Sequence, residues 1–268
     1  MKRFDYQKKV WGTSVPTISP FSLAGLRIYY FLKNIRGVYG KLLEVGCGAG
    51  GNLQAFKLHR PYLELYGVDI GTKAILEGTR LFPSIHLKVA EAEKLPYDDA
   101  TFNIVCFFDV LEHVSYPLAC IKEAQRVLKP SGILHAYIPC EGEIFSLHGM
   151  LNRFGINLKE KTAGHIQKLT RKGIEEMCKE VGLDIIDVTW SCHLLNQIGD
   201  LSYYLYLTIT GTSLEYSLEG SLQKNSVGSR LLSWIKAAVS FTWYWESRIL
   251  WWLPGAGLHL TCRKRVIL

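Results

Sequence analysis

The chain has no Cys-x-x-Cys pair. Its seven cysteines are scattered and odd in number, which supplies neither a disulfide framework nor a zinc-ligand spacing, so no metal site is expected. Such cysteine usage fits the reducing cytosol. No secretion signal is expected either, because Asp5, Gln7, Lys8 and Lys9 break up the apolar stretch that a signal peptide needs. No run is long and apolar enough to span a bilayer. Leu201 to Leu214 falls short of the roughly 18 residues required, and Lys236, Glu246 and Arg248 interrupt the later one. Internal repeats and low-complexity tracts are missing as well.

Acidic residues are scarce relative to basic ones, 24 against 31, and the net charge is +7. Lys2, Arg3, Lys8 and Lys9 lie near one end and Arg263, Lys264 and Arg265 near the other. The excess suits an anionic partner such as nucleic acid or an acidic lipid surface, although charge alone is better read as a solvated basic face. Two marks of a nucleic-acid-modifying chain are lacking: an Asn-Pro-Pro-Tyr motif for base amines, and aromatic residues interleaved with clustered Arg and Lys. Nucleic acid is therefore not an expected partner.

What is present describes a folded α/β protein. With 268 residues, 48% hydrophobic and 21% charged, the chain can bury a substantial core, and one domain with an insertion is expected. Leu23, Leu26, Tyr30 and Phe31 fall at helical spacing and predict a leading helix within residues 1–36. From Gly40 on, short apolar runs alternate with helical stretches, the mark of βαβ units on a parallel sheet. Strands are predicted at Lys41–Val45, Tyr62–Asp69, Ile85–Ala90, Phe102–Phe108 and Ile133–Ile138, the fourth central because it is apolar throughout. Lys129-Pro130-Ser131-Gly132 is expected to stop the helix Tyr116–Val127 before the fifth strand. Thr170 is a natural N-cap and Gly182 a natural stop for the next helix, followed by strands at Leu183–Thr189 and Gly257–Arg263. The expected divisions are a core domain over 37–193, an apolar helical insertion over 194–254, and a final strand with a basic tail over 255–268.

The chemistry concentrates at strand ends. Glu44-Val45-Gly46-Cys47-Gly48-Ala49-Gly50 sets a Gly-x-Gly-x-Gly turn between a strand and a helix, where backbone must turn sharply and approach a ligand without a Cβ in the way. Tight turns alone also use glycine. Asp69 ends the next strand, and a carboxylate there can accept both hydroxyls of a ribose lying across the strand ends, as dinucleotide sites also do.

Residues 44–50 resemble the first motif of the class I S-adenosylmethionine-dependent methyltransferases, in particular those acting on small molecules and lipids. Ala90-Glu91-Ala92-Glu93-Lys94-Leu95-Pro96-Tyr97 and Phe107-Phe108-Asp109-Val110-Leu111-Glu112-His113-Val114 resemble further motifs of that family. Arg126 to Gly132 resembles its hairpin into the fifth strand, and Gly164 to Thr170 is a weaker match. The resemblance covers more than half the chain. It implies S-adenosylmethionine as cofactor and a Rossmann-like seven-stranded sheet, last strand antiparallel, flanked by helices and carrying a C-terminal helical aromatic insertion. The implied cofactor contacts are Glu44, Gly46, Cys47, Gly48 and Gly50 toward the methionine part, Asp69 and Ile70 at the ribose, Glu91 and Ala92 at the adenine edge, and Phe108 and Asp109 near the reactive end. Relatives usually carry Asp where this chain has Glu91, one methylene longer.

Methyl transfer to a hydroxyl needs in-line placement and removal of a proton. His165 and His113 are the expected catalytic residues, His165 as general base by its resemblance to quinone-type O-methyltransferases. Each has a structural alternative, His165 as an interface histidine and His113 as a locally satisfied helix-start histidine. The insertion holds Trp234, Trp243, Trp245, Trp251 and Trp252, five of the seven tryptophans. Such rings, apolar with a polar tip, suit a membrane interface, and they equally suit a cap packed on the sheet or on a second subunit in a homodimer. The expected acceptor is a small-molecule, lipid-like or glycolipid hydroxyl, met by a cytoplasmic protein lying on the inner face of the membrane. Rival readings are a soluble sugar or metabolite under a lid, and a non-catalytic S-adenosylmethionine-binding or RNA-binding protein.

Overall fold

The computed structural model describes residues 10–21, 23–210 and 227–266. Its strands are β1 (Gly40–Val45), β2 (Leu63–Asp69), β3 (His86–Val89), β4 (Phe102–Phe108), β5 (Leu128–Pro139), β6 (Leu183–Ser191) and β7 (Gly257–Lys264). They form one sheet in the order β3-β2-β1-β4-β5-β7-β6. The first five run parallel, and β7 enters between β5 and β6 antiparallel to both. The fold is the Rossmann-like seven-stranded arrangement that the motifs imply, with β4 at its centre.

The helices are α1 (Leu23–Asn34), α2 (Gly51–His59), α3 (Thr72–Leu81), α4 (Pro117–Val127), α5 (Leu147–Arg153), α6 (Leu158–Thr162), α7 (Arg171–Glu180), α8 (Leu194–Thr210) and α9 (Val227–Ile249). Strand alternation sorts the core into two layers. Leu42, Ile104, Cys106 and Phe108 face α1 and α2, meeting Ile28, Phe31, Ile35 and Phe56. Leu43, Val45, Val105 and Phe107 face the other way, onto Ile121, Ala124 and Val127 of α4 and Ile174 of α7. Both faces of β4 are thus covered, which is why its sequence is an unbroken apolar run. Phe31, wholly buried, sets its ring 4.6 Å from that of Phe56 and 5.6 Å from that of Phe108. Burying one such ring stabilises the fold by about 1.5–3 kcal/mol.

The caps follow their sequence signals. Thr170 accepts a hydrogen bond from the Gly173 amide at 3.2 Å, and Gly182 ends the turn after α7 in the left-handed region at φ 78°. One expectation needs correction. Lys129 to Gly132 does not separate helix from strand, because β5 starts at Leu128 and Phe102 pairs with Leu128 before the register shifts at Ile104. Ser131 takes a left-handed φ of 62° there, so the Pro-Ser-Gly segment is absorbed as an irregularity of the strand rather than a break. The polar stretch after β5 forms α5 and α6. Ser146 caps α5 by accepting from the Gly149 amide at 2.9 Å, a local bond that outweighs the weak periodicity of a seven-residue helix.

Lys2, Arg3, Lys8 and Lys9 lie outside the described residues, as do the last residues of the Leu201–Leu214 run. No helix among the described residues is long and apolar enough to cross a membrane.

Candidate active site

The carboxyl ends of β3, β2, β1 and β4 stand side by side, since Asp69 pairs with Val89, and Val45 pairs with both Val68 and Phe107. Gly46, Ile70, Ala90 and Phe108 therefore share one edge of the sheet. The order of connection reverses between β1 and β4, which opens the crevice where such sheets take ligands. Gly46, Gly48 and Gly50 have φ of 74°, 54° and 89°, backbone that L side chains rarely adopt. A Cβ on Gly46 would stand 2.4 Å from Val110 Cγ2. Cys47 is buried and its thiol is pushed up in pKa by burial, then by the Glu44 and Asp69 charges, so its contribution is that of a small apolar group.

Asp69 braces the turn. One carboxylate oxygen accepts from the Gly48 amide at 2.8 Å and the other from the Gly71 amide at 2.7 Å, and each oxygen keeps a lone pair for a ribose hydroxyl. Glu44 is buried, one oxygen accepting from Asn52 Nδ2 at 2.8 Å and the other, Oε2, without a hydrogen-bond partner. Burial pushes its carboxyl up to about 8. A buried acceptor in want of a donor is what the ammonium of a bound amino acid would answer. Ile70 is exposed beside Asp69, open to a nucleoside ring. Glu91 is exposed and Ala92 half-buried in the turn that follows β3, where the Lys94 amide closes on the Glu91 carbonyl at 3.1 Å. The residues named for the cofactor thus line one edge, and Glu44 and Asp69 fit its methionine and ribose parts.

A second concavity continues along the same edge. A cavity of about 310 Å³ is bounded by Asp109 after β4, Tyr137 and Pro139 of β5, Ser191 and Cys192 at the end of β6, and Ala256 before β7. Its roof comes from α8 and α9. Gln197, Asp200 and Tyr204 face it from α8, and Ser240, Trp243, Tyr244 and Ser247 from α9. Both sets follow the three-and-four spacing of one helix face. The inserted helices, apolar overall, turn a largely polar face inward and leave Trp234, Trp245, Ile249, Trp251, Trp252 and Leu253 exposed.

Asp109 joins the two halves. It has a left-handed φ of 54°, forms an ion pair with Arg27, and its amide donates to the Tyr137 carbonyl at 3.2 Å. Arg27 also lies 4.0 Å over the Tyr137 ring. Its pKa is raised: burial opposes the charge, and Asp109 together with Tyr137, Cys192 and Glu112 more than restores it.

At the cavity floor a buried polar network surrounds His165. Its Nδ1 lies 2.8 Å from Glu141 Oε1. Lys159 reaches Glu141 at 3.2 Å and Asp200 at 2.6 Å, and His148 Nε2 lies 3.0 Å from Asp200. Burial pushes the Glu141 carboxyl upward, but the His165 hydrogen bond and the Lys159 charge outweigh it and hold it at about 2. His113 sits in the loop before α4, not at the helix start, and its Nδ1 meets the Gly164 carbonyl at 3.1 Å. Its ring stands 4.7 Å from that of His165, nearly perpendicular. Burial, then the neighbouring His165, lowers His113 to about 4.

Asp109, His113 and His165 are therefore brought together from β4 and the segment after β5. Among the expected residues, Asp109 and His165 line the cavity, His113 packs against His165, and the others lie along the edge formed by the ends of β3, β2, β1 and β4. Sequence reasoning missed Arg27, Glu112, Glu141, Lys159 and Asp200. Asp200 carried a signal as the lone charge of the apolar helix α8, and Arg27 as a charge within the apolar run of α1. Trp11 and Gly12 were also missed; their carbonyls accept from the Ala49 and Gly51 amides at 2.8 and 2.7 Å and lay the leading segment on the glycine turn.

Residues 43–136 match a family model described as a methyltransferase domain. The ubiquinone biosynthesis O-methyltransferase of Vibrio cholerae (strain O395) is 30% identical over 142 residues, 49% of this chain and 56% of that protein. The chain thus spans little more than half the length of that curated relative. The YcgJ protein of Bacillus subtilis superposes with a TM-score of 0.58 at 17% identity, over 90% of this chain and 98% of that one. The phosphoethanolamine N-methyltransferase 2 of Haemonchus contortus, in complex with S-adenosyl-L-methionine, gives 0.57 at 18% identity over 90% and 52%. Both share the fold.

Proposed function

We propose that this chain, whose residues 43–136 form a methyltransferase domain of the class I, S-adenosylmethionine-using fold, transfers a methyl group to a hydroxyl of a small acceptor whose polar head enters the cavity beneath α8 and α9. The observation that carries the proposal is the meeting of the two halves at Asp109: cofactor residues along the ends of β3 to β4, and an acceptor-sized cavity with His165 at its floor. Ligand cavities commonly begin near 300 Å³, enough for a sugar or a substituted ring rather than for a macromolecule.

The bound cofactor supplies an electrophilic methyl group on a sulfonium. Glu44 would hold its ammonium and Asp69 its ribose hydroxyls, and the glycine turn would let the backbone approach. The chain's own work is positional: Asp109 and Arg27 set the boundary between cofactor and acceptor, α8 and α9 exclude water, and His165, its Nδ1 on Glu141, activates the acceptor hydroxyl through Nε2. The polar lining favours a hydroxylated head. The exposed tryptophans on the outer side of the roof support an acceptor with a lipid tail, presented by a bilayer surface that the protein meets from one side.

Incubation of the protein with labelled S-adenosylmethionine and host extracts, split into aqueous and lipid fractions, tests both parts. Label in a lipid product, removed by His165→Ala, is the expected result. Label confined to the aqueous fraction removes the lipid tail from the proposal, and label in neither removes the activity. Flotation with anionic vesicles tests the membrane contact separately.

A further inference from the structure

We infer that Glu112, His113 and His165 bind a divalent transition-metal cation of the zinc class. The inference rests on the methyl-transfer reading in that it names what holds the acceptor hydroxyl. Glu112 is completely buried, yet neither of its carboxylate oxygens has a hydrogen-bond partner. A buried carboxylate in that state is costly until a proton or a cation answers it. Two imidazoles stand beside it. One ligating atom from each of the three residues can be chosen so that all lie within 4.8 Å of one another, and His113 Nε2 is 3.7 Å from Glu112 Oε1.

Both rings are oriented for ligation. His165 Nδ1 meets Glu141 at 2.8 Å and His113 Nδ1 meets the Gly164 carbonyl at 3.1 Å. Against oxygen acceptors each Nδ1 is the protonated nitrogen, so Nε2 carries the lone pair. A carboxylate or carbonyl behind the ring is the arrangement that fixes the tautomer and raises the basicity of metal-binding histidines. The backbone holds the pieces in register, because the Ile166 and Gln167 amides both donate to the Glu112 carbonyl at 3.0 Å. That fork ties the loop of His165 to the loop of Glu112 at the shared carboxyl edge of β4 and β5.

Two nitrogens and one carboxylate are a ligand set of catalytic zinc sites, which keep a further position open. His165 lines the cavity, so the open position faces the acceptor. There the cation takes the oxygen of the acceptor hydroxyl and lowers its pKa. The proton passes to water in the cavity, the oxygen forms its bond to the methyl carbon as the carbon–sulfur bond breaks, and the electron pair stays on sulfur. His165 then activates the hydroxyl as a ligand of the cation, since ligation and direct proton abstraction use the same Nε2.

The test uses the full chain, stripped with chelator and titrated with Co2+ and Zn2+ alone. The expected result is one saturable site with the visible absorption of Co2+ in a low-coordinate nitrogen and oxygen environment, displaced by Zn2+. Glu112→Gln and His165→Asn are each expected to abolish that absorption, and Glu141→Gln, behind the ligand, to weaken binding by about 10- to 100-fold. S-adenosylmethionine binding, measured on each variant, certifies the fold. Absence of a saturable site in the wild-type chain, or a site unchanged by Glu112→Gln and His165→Asn, overturns the inference. Methyl transfer that persists at full rate in the stripped protein overturns it too while leaving the proposed activity standing. Co2+ bound at these residues in a protein that methylates nothing upholds the metal site and removes the activity.

Discussion

Asn52 Nδ2 donates to Glu44 Oε1 at 2.8 Å, and this amide is the hydrogen-bond partner of a carboxylate otherwise shut away from water. Burial raises the Glu44 carboxyl to about 8, so in the cofactor-free protein it is largely protonated at neutral pH. A folded-state pKa raised in this way contributes stability that is complete below the ordinary carboxyl range and is lost as pH rises through about 8. An ammonium at Oε2 favours the ionised form, so cofactor binding releases a proton. Calorimetry at pH near 7 in buffers of differing ionisation enthalpy is expected to show that release, and Glu44→Gln to remove it.

Asp69 answers two backbone amides at once and keeps lone pairs for the ribose. Asp69→Asn retains the volume but offers only one accepting oxygen. Cofactor affinity is expected to fall about 10- to 100-fold, ~1.5–3 kcal/mol, by direct titration.

Lys159 sits between Glu141 and Asp200 with a side chain only 10% exposed. Lys159→Met leaves both carboxylates without their shared cation and is expected to cost about 3 kcal/mol in urea unfolding. Asp200→Asn in the same background should cost much less than it does alone, because the two residues act as one unit.

The glycine turn permits a steric comparison. Gly48 has φ of 54°, and a Cβ there would lie 2.6 Å from the Trp11 carbonyl oxygen, whereas Gly155, at φ 75°, has open space. Gly155→Ala is expected to cost only the backbone strain, about 1 kcal/mol. Gly48→Ala should cost more and should also weaken cofactor binding, since Trp11 and the turn move apart. Thermal unfolding with and without S-adenosylmethionine reads both.

The sheet was legible because its signals are local. An apolar run such as Phe102–Phe108 is buried on both faces wherever it lies, and Thr170 and Gly182 act on their own backbone. Glu44, the glycines and Asp69 were legible for the same reason, each standing at a strand end where the chain must turn toward the crevice. By itself, then, the sequence determined the order of the strands, the glycine turn and acidic residues at the strand ends, and an apolar helical insertion rich in aromatic residues. Only the tertiary structure decided which face those helices turn inward, that Arg27 meets Asp109 across 82 residues, and that Glu112 and His113 stand beside His165. Those contacts join segments far apart in the chain, and a buried charge shows in a sequence as one residue without its partner. The partner is chosen by packing, through the need to pair or neutralise whatever folding removes from water.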